Sequence, residues 1–203
     1  MNPLEEFLQS GIIELYVLGA TSPQESLDVE QMAAAYPEVR QEIDQVSLAL
    51  EAYASAHAVE PKHTIKPLVL ATVDYMERMK QGEVPASPPE LTPASTVADY
   101  EKWLQRPDMT LPDDAEDIFA KIIGYTPKAT TAIVWVKDMT DFEVHHEEYE
   151  RFLILEGTCD MVAGEDIHQL AAGDFFAVPL HTPHMIKVTS QVPCKAVLQR
   201  ITV

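Results

Sequence analysis

From about residue 115 onward, short runs of branched and aromatic residues recur along the chain. They fall at 131–136, 152–155, 159–162, 175–178, 185–188 and 194–203, and turn residues separate them at intervals near ten. Runs of this length are too short for stable helices, and their spacing is that of an antiparallel sandwich or barrel. No internal repeat accompanies them. This half of the chain must therefore close its strands around one shared core.

Two of the turns between these runs carry chemistry. The first reads His145-His146-Glu147-Glu148-Tyr149-Glu150 and leads into 151–157, which ends in Gly157. The second begins at Gly173-Asp174, passes Pro179 and ends His181-Thr182-Pro183-His184. Five of the seven histidines lie between His145 and His184. Imidazole nitrogen beside carboxylate oxygen suits zinc, iron, manganese, nickel or copper. If the first segment is extended, His146, Glu148 and Glu150 point to one side and His145 to the other. A His–Glu pair from this hairpin and His184 from a neighbouring strand then make a three-point site with positions left for water or substrate. Glu147 and Glu148 read as solvated and His168 as a structural residue in a turn, while His181 reads as locally hydrogen-bonded in preference to adding a ligand. His57 and His63 lie outside the strand region and take no site role.

The first half is helical. Ser10 caps a short helix over 11–18 that Gly19 ends in the left-handed conformation. Ser22-Pro23-Gln24-Glu25 combines a cap, a proline at the first helical position and a capping box. Leu27, Val29, Met32 and Ala33 form that helix's stripe, and Tyr36-Pro37 breaks it. Val39, Ile43, Val46, Leu50 and Tyr53 follow at spacings of three and four, the period of a third helix. A fourth helix spans about 65–80, with Leu68, Val69, Val73 and Met76 as its apolar face. Eight of the fifteen prolines fall within 58–113, and residues 85–95 read as a linker. A helix over about 96–105 carries Tyr100, Trp103 and Leu104.

The formal net charge is −19. Residues 1–60 hold eleven acidic residues and only Arg40 as a base, so that segment carries −10. Such a field opposes direct nucleic-acid binding, which needs Lys and Arg to displace counterions. It suits a basic protein partner. No run is long and apolar enough for a membrane span, and the N-terminus has no signal-peptide pattern, so the cytoplasm is the expected location. Cys159 and Cys194 match no CxxC or disulfide framework and read as reduced, half-buried thiols.

The strand region resembles the cupin family. Glu150, six residues and Gly157 match the second half of the first cupin motif. Gly173, five residues, Pro179, Leu180, His181, two residues and His184 match the second motif, with His181 where the motif has glycine. The resemblance implies a double-stranded β-helix with metal ligands at Glu150 and His184, and at His146 if the first spacing is three. Val144 then falls where the first ligand should be. If His145 is the ligand instead, Glu143 takes that slot as an oxygen donor. The implied cofactor is a divalent metal ion, zinc first, with iron, manganese or nickel as alternatives.

The N-terminal run from Ser10 to Glu25, extended by residues 29–32 and 36–40, resembles the sigma-binding domain of anti-sigma factors for extracytoplasmic-function sigma factors. A helical domain of that kind joined to a cupin is similar to the soluble ChrR-type members. Their helical zinc cluster must be absent, since no cysteine precedes Cys159.

The expected architecture is α+β: a helical domain over 1–84, a proline-rich linker and connecting helix over 85–113, and a β-barrel over 114–203. The expected function is transcriptional regulation through a sigma factor partner, with a metal-binding barrel that senses a small molecule or oxidant. A homodimer is left open. The alternative is a metal-dependent cupin enzyme of the dioxygenase or isomerase kind.

Overall fold

The computed structural model describes residues 2–203. The chain divides into two compact units, the first ending at Glu60 and the second spanning Pro61–Val203. The first consists of helices α1 (Pro3–Leu8), α2 (Ile12–Val17), α3 (Pro23–Ala35) and α4 (Pro37–Ala56). Local sequence signals set their ends. The Ser22 side chain accepts from the Glu25 N–H while the Glu25 carboxylate accepts from the Ser22 N–H, and Pro23 opens α3. Pro37 opens α4 directly after Tyr36, which caps both helices. Ile13, Val29, Ala33, Val39 and Ile43 are buried together as the core of this unit. Leu27, expected on that stripe, is exposed.

The second unit holds α5 (Ile65–Lys80), a 3₁₀ turn (Val97–Tyr100), α6 (Glu101–Leu104) and eight strands. The strands are β1 (Ile118–Thr126), β2 (Ala129–Val136), β3 (Glu148–Glu156), β4 (Thr158–Ala163), β5 (Asp166–Ala171), β6 (Phe175–Val178), β7 (His184–Val188) and β8 (Cys194–Thr202). All pair antiparallel, as a five-stranded sheet in the order β1-β2-β8-β3-β6 and a three-stranded sheet in the order β5-β4-β7. The α+β class is as expected. Six of the eight strands were foreseeable; β1 and β5 were not, and His168 lies in β5 rather than in a turn.

The larger sheet is buried on both faces. Ala132, Val134, Phe152, Ile154, Ala196 and Leu198 point inward to a core shared with Met161 and Ile186 of the smaller sheet. Their neighbours Ile133, Trp135, Leu153 and Val197 point outward into a second core with Leu91, Tyr100, Trp103 and Met109. The proline-rich segment is thus no linker. It lies on the outer face of the sheet and is fixed there by a buried glutamine. Gln199 accepts from the Leu91 N–H (2.8 Å) and donates to the Pro89 carbonyl (3.1 Å) and the Thr131 hydroxyl (2.9 Å). Tyr100 donates to the same Pro89 carbonyl, and Arg151 donates to the Leu91 carbonyl. Prolines leave few backbone donors to satisfy, which suits a strip lying flat on a sheet. At Gly124 a Cβ would collide with the Pro88 ring and lie 2.6 Å from the Ala86 carbonyl oxygen, so only glycine admits the strip.

Helix α5 also departs from expectation. It belongs to the second unit and packs on β1. Its inward face is Pro67, Leu68, Ala71 and Tyr75, whereas Val69, Val73 and Met76 are all more than half exposed. Small Ala71 lets the helix axis approach the sheet, and the bulkier branched residues turn away. The expected boundary near residue 84 therefore moves to Glu60/Pro61, between α4 and α5. Cys159 and Cys194 are free thiols, fully buried in the inner core rather than half-buried. No helix among the described residues is long and apolar enough to cross a membrane.

Candidate metal centre

Strand alternation brings the functional groups to one end of the inner core. In β3, Glu150 precedes Phe152 and Ile154 on the inward side; in β8, Arg200 follows Ala196 and Leu198 on the same side. His184 opens β7 beneath them. The residue opposite His184 is Glu143, held by a two-way backbone bridge in which each N–H donates to the other's carbonyl at 2.9 Å.

Four side chains converge: Glu143, His145, Glu150 and His184, with one donor atom from each lying within 4.8 Å of the others. His184 Nε2 is 2.8 Å from Glu150 Oε2. His145 Nε2 is 3.3 Å from the same oxygen and 3.6 Å from Glu143 Oε2. The structure therefore brings together two of the three expected site residues, Glu150 and His184, and not the third. His146 points away from the cluster, with its Nδ1 2.8 Å from Nδ1 of His181. The reason is local: β3 begins only at Glu148, and residues 146–147 bend, so alternation counted back from Glu150 fails before it reaches the histidines. His145 takes the inward place, with Glu143 as the oxygen donor in the preceding slot.

Burial pushes the Glu150 carboxyl up, but the imidazoles of His145 and His184 and the Arg200 charge overcome it and hold the group well below the usual carboxylate range. Burial likewise pushes the His184 imidazole down, and the Glu150 carboxylate reverses this and raises it. Arg200 donates through Nε to Glu150 Oε1 (2.8 Å) and through a terminal nitrogen to Glu143 Oε2 (3.0 Å). It fixes the orientation of both carboxylates, as outer partners of metal ligands commonly do. The sequence offered one signal for Arg200: a single cation on the inward alternation of an otherwise apolar strand.

The donor set fits a metal ion. Zinc bonds to nitrogen and oxygen of about 2.1 Å place tetrahedral donors about 3.4 Å apart, close to the two His145 separations above. His145 Nε2 is buried and has no hydrogen-bond partner among the described residues, because Glu150 lies off the line of its N–H. A buried nitrogen without a partner is the exception in a folded protein, and in the tautomer that carries its proton on Nδ1 this one turns a lone pair toward the cluster, as a metal ligand must.

A cavity of about 50 Å³ adjoins the cluster. It has room for roughly four waters or a ligand of similar bulk. Leu68, Val134, Phe152, Ile186 and Leu198 form its apolar wall, and Glu143, Glu150, His184 and Arg200 its polar end. Thr64, just before α5, also lines it, and its hydroxyl is buried without a partner. The neighbouring residues pin this entrance: Lys62 Nζ donates to the Phe142 carbonyl and the His63 N–H donates to Asp141 Oδ2, both at 2.6 Å.

Residues 132–199 match the family model described as Cupin domain. The C-terminal region carries a cupin domain. Solved structures of similar fold include TT1209 of Thermus thermophilus, 17% identical over 45% of this chain and 90% of its own, with a TM-score of 0.42. A predicted oxalate decarboxylase of Thermotoga maritima is 17% identical over 42% of this chain and 81% of its own, with a TM-score of 0.41. KdgF of a Halomonas species is 19% identical over 45% of this chain and 86% of its own, with a TM-score of 0.40. No curated protein sequence matches the chain. The cupin stretch begins inside β2, so β1, the proline-rich strip and α5 all lie outside the matched residues.

Proposed function

We propose that this protein is a regulator of the anti-sigma kind, in which the cupin holds a divalent metal and binds a small signal molecule or oxidant, and the acidic helical unit sequesters a sigma factor. The observation that carries this reading is the cavity beside the Glu143/His145/Glu150/His184 cluster. Every ionisable group on its wall is already engaged within the cluster and with Arg200, and none stands free as a catalytic base. Such a site is equipped to bind rather than to turn over. The metal is zinc in this reading, since zinc outranks manganese and iron at mixed nitrogen and oxygen donors. Bound there, it supplies a Lewis-acid point for an oxygen of the ligand.

The signal has a physical route. Thr64 and Leu68 touch the cavity, and α4 ends at Ala56, a few residues earlier in the chain. A ligand that bonds the Thr64 hydroxyl favours one placement of that entrance, and a differential affinity of this sort is what a two-state switch requires. This route replaces the expected one through residues 85–95, which are fixed to the barrel. The acidic charge of the first unit supports a basic protein partner in the same reading.

The test is co-purification of the full chain with sigma factors of its host, followed by removal of the metal with a chelator and by addition of hydroperoxide. A sigma factor that is retained by the wild type and released under one of these treatments is expected. Failure to retain any sigma factor at low salt, where charge attraction is strongest, refutes the partner. The second reading, a metal-dependent enzyme, is favoured by the same cavity, which leaves room for a substrate beside the cluster. Turnover of a small substrate that His184→Ala abolishes would establish it.

A further inference from the structure

The two turns that deliver His145 and His184 each deliver a second histidine that the buried cluster does not use. His146 follows His145, and His181 stands three residues before His184. Their rings stack with centroids 5.1 Å apart and planes at 30°, and their Nδ1 atoms are 2.8 Å apart. The inner rings, His145 and His184, lie at a similar 5.2 Å. The His181 N–H donates to the His145 carbonyl at 2.9 Å, so one backbone bond ties the inner pair to the outer one.

Two imidazole nitrogens cannot face each other at this distance with both lone pairs bare. This is the separation of an N–H···N hydrogen bond, one ring donating and the other accepting. Two nitrogens bound to one tetrahedral ion stand about 3.4 Å apart, which a small rotation of these exposed rings provides. His181 also holds a φ of +61°, and among the described residues no other non-glycine residue has a positive φ. Glycine would take this conformation without strain. The histidine is exposed, so burial of its ring does not account for it. What the strained backbone achieves is to aim the His181 ring at His146. Each ring's side-chain partner is the other, without a carboxylate.

We propose that His146 and His181 form a second metal site at the rim of the cupin, a two-imidazole clamp for a borderline transition-metal ion such as Zn²⁺, Ni²⁺ or Cu²⁺. The all-nitrogen donor set selects these ions over Mg²⁺ and Ca²⁺, which require oxygen. Two protein donors leave the remaining positions to water, so the clamp binds more weakly than the four-donor cluster. Both rings are open to solvent, and the ion reaches them with no movement of the fold. The clamp does not depend on the function proposed above.

The full chain, stripped of metal with a chelator, is titrated with Zn²⁺ by calorimetry, and the imidazole resonances are followed by NMR. The wild type binds two equivalents, the second more weakly. His181→Gly binds one, with its Tm at or above that of the wild type because the strain is relieved. His146→Ala also binds one. His184→Ala weakens the tight equivalent and keeps the weak one, whose binding moves the His146 and His181 signals. Mg²⁺ moves neither. If the cluster binds nothing, the weak equivalent and those two signals still report on the clamp alone. A folded His181→Gly variant that retains both equivalents within twofold of wild-type affinity overturns the proposal, as does a titration of His184→Ala that leaves the His146 and His181 signals unmoved.

Discussion

Gln199 gives the sharpest test of how the proline-rich strip is held. Its side chain is only 1% exposed and makes three hydrogen bonds that join the Leu91 N–H, the Pro89 carbonyl and the Thr131 hydroxyl. In Gln199→Ala, Pro89 keeps its bond from Tyr100 and the Thr131 hydroxyl can rotate, so the principal orphan is the buried Leu91 N–H. An orphaned buried donor costs about 1–3 kcal/mol. Loss of the buried methylene and the space left behind add about 1–2 kcal/mol. The total is about 2–5 kcal/mol, a fall in Tm of roughly 6–15 °C for a unit of this size. Gln199→Met retains the bulk and loses only the hydrogen bonds, so it falls by about half as much. Urea unfolding measures both, and hydrogen exchange at the Leu91 amide reports on the strip directly. That amide is protected in the wild type and exchanges much faster in either variant. A loss below about 1 kcal/mol in Gln199→Ala, with Leu91 exchanging in the wild type as in an unfolded chain, would show that the strip is not anchored as described.

Three further outcomes follow from the structure. Gly124→Ala drives a methyl into the Pro88 ring and the Ala86 carbonyl, and thermal denaturation should show a loss of about 1–3 kcal/mol or more. Elemental analysis of purified protein should find the tightly bound ion lost in Glu150→Gln and His184→Ala and retained in His146→Ala; the reverse pattern would restore His146 as the inner ligand. Finally, Arg106 binds Glu83 and Asp108, whose carboxyls are both held below the usual range, chiefly by hydrogen bonds from Arg106. With folded pKa values depressed, their stabilisation is complete above the ordinary carboxylate range near pH 4 and is lost as the pH falls through the folded values. Arg106→Ala should therefore lose roughly 1–2 kcal/mol at pH 7, a figure discounted for partial exposure, and the gap from wild type should close in acid.

How far the sequence was legible depended on whether the signal was local. The capping box of α3 and the Tyr36-Pro37 break that ends it are complete within a few residues, and both stand in the structure. Glu150 and His184 lie inside or at the edge of regular strands, where the spacing of the cupin motifs holds. His146 was misread because its position was counted across a bend, where a period of two has no meaning. The inward face of α5 was misread because hydrophobicity favours Val69, Val73 and Met76, while close packing favours Ala71. Proline content suggested a linker at 85–95, although the residue that holds that segment, Gln199, lies about a hundred positions away in β8. Strand β1 hides behind Lys121 and Gly124, and β5 is almost wholly exposed, so neither shows an apolar run.

The strip also fixes an order of events during synthesis. Leu91, Tyr100 and Trp103 emerge from the ribosome first, yet their partner Val197 is made roughly a hundred residues later. At translation rates of about 5–20 residues per second, that is an interval on the order of 5–20 s. Throughout it a tyrosine, a tryptophan and a leucine have at most part of their sheet to cover, and the outward face of β2 has no β8 beside it. The nascent chain thus presents an adhesive surface until β8 emerges, and its yield in the cell should depend on the chaperones that meet it at the ribosome.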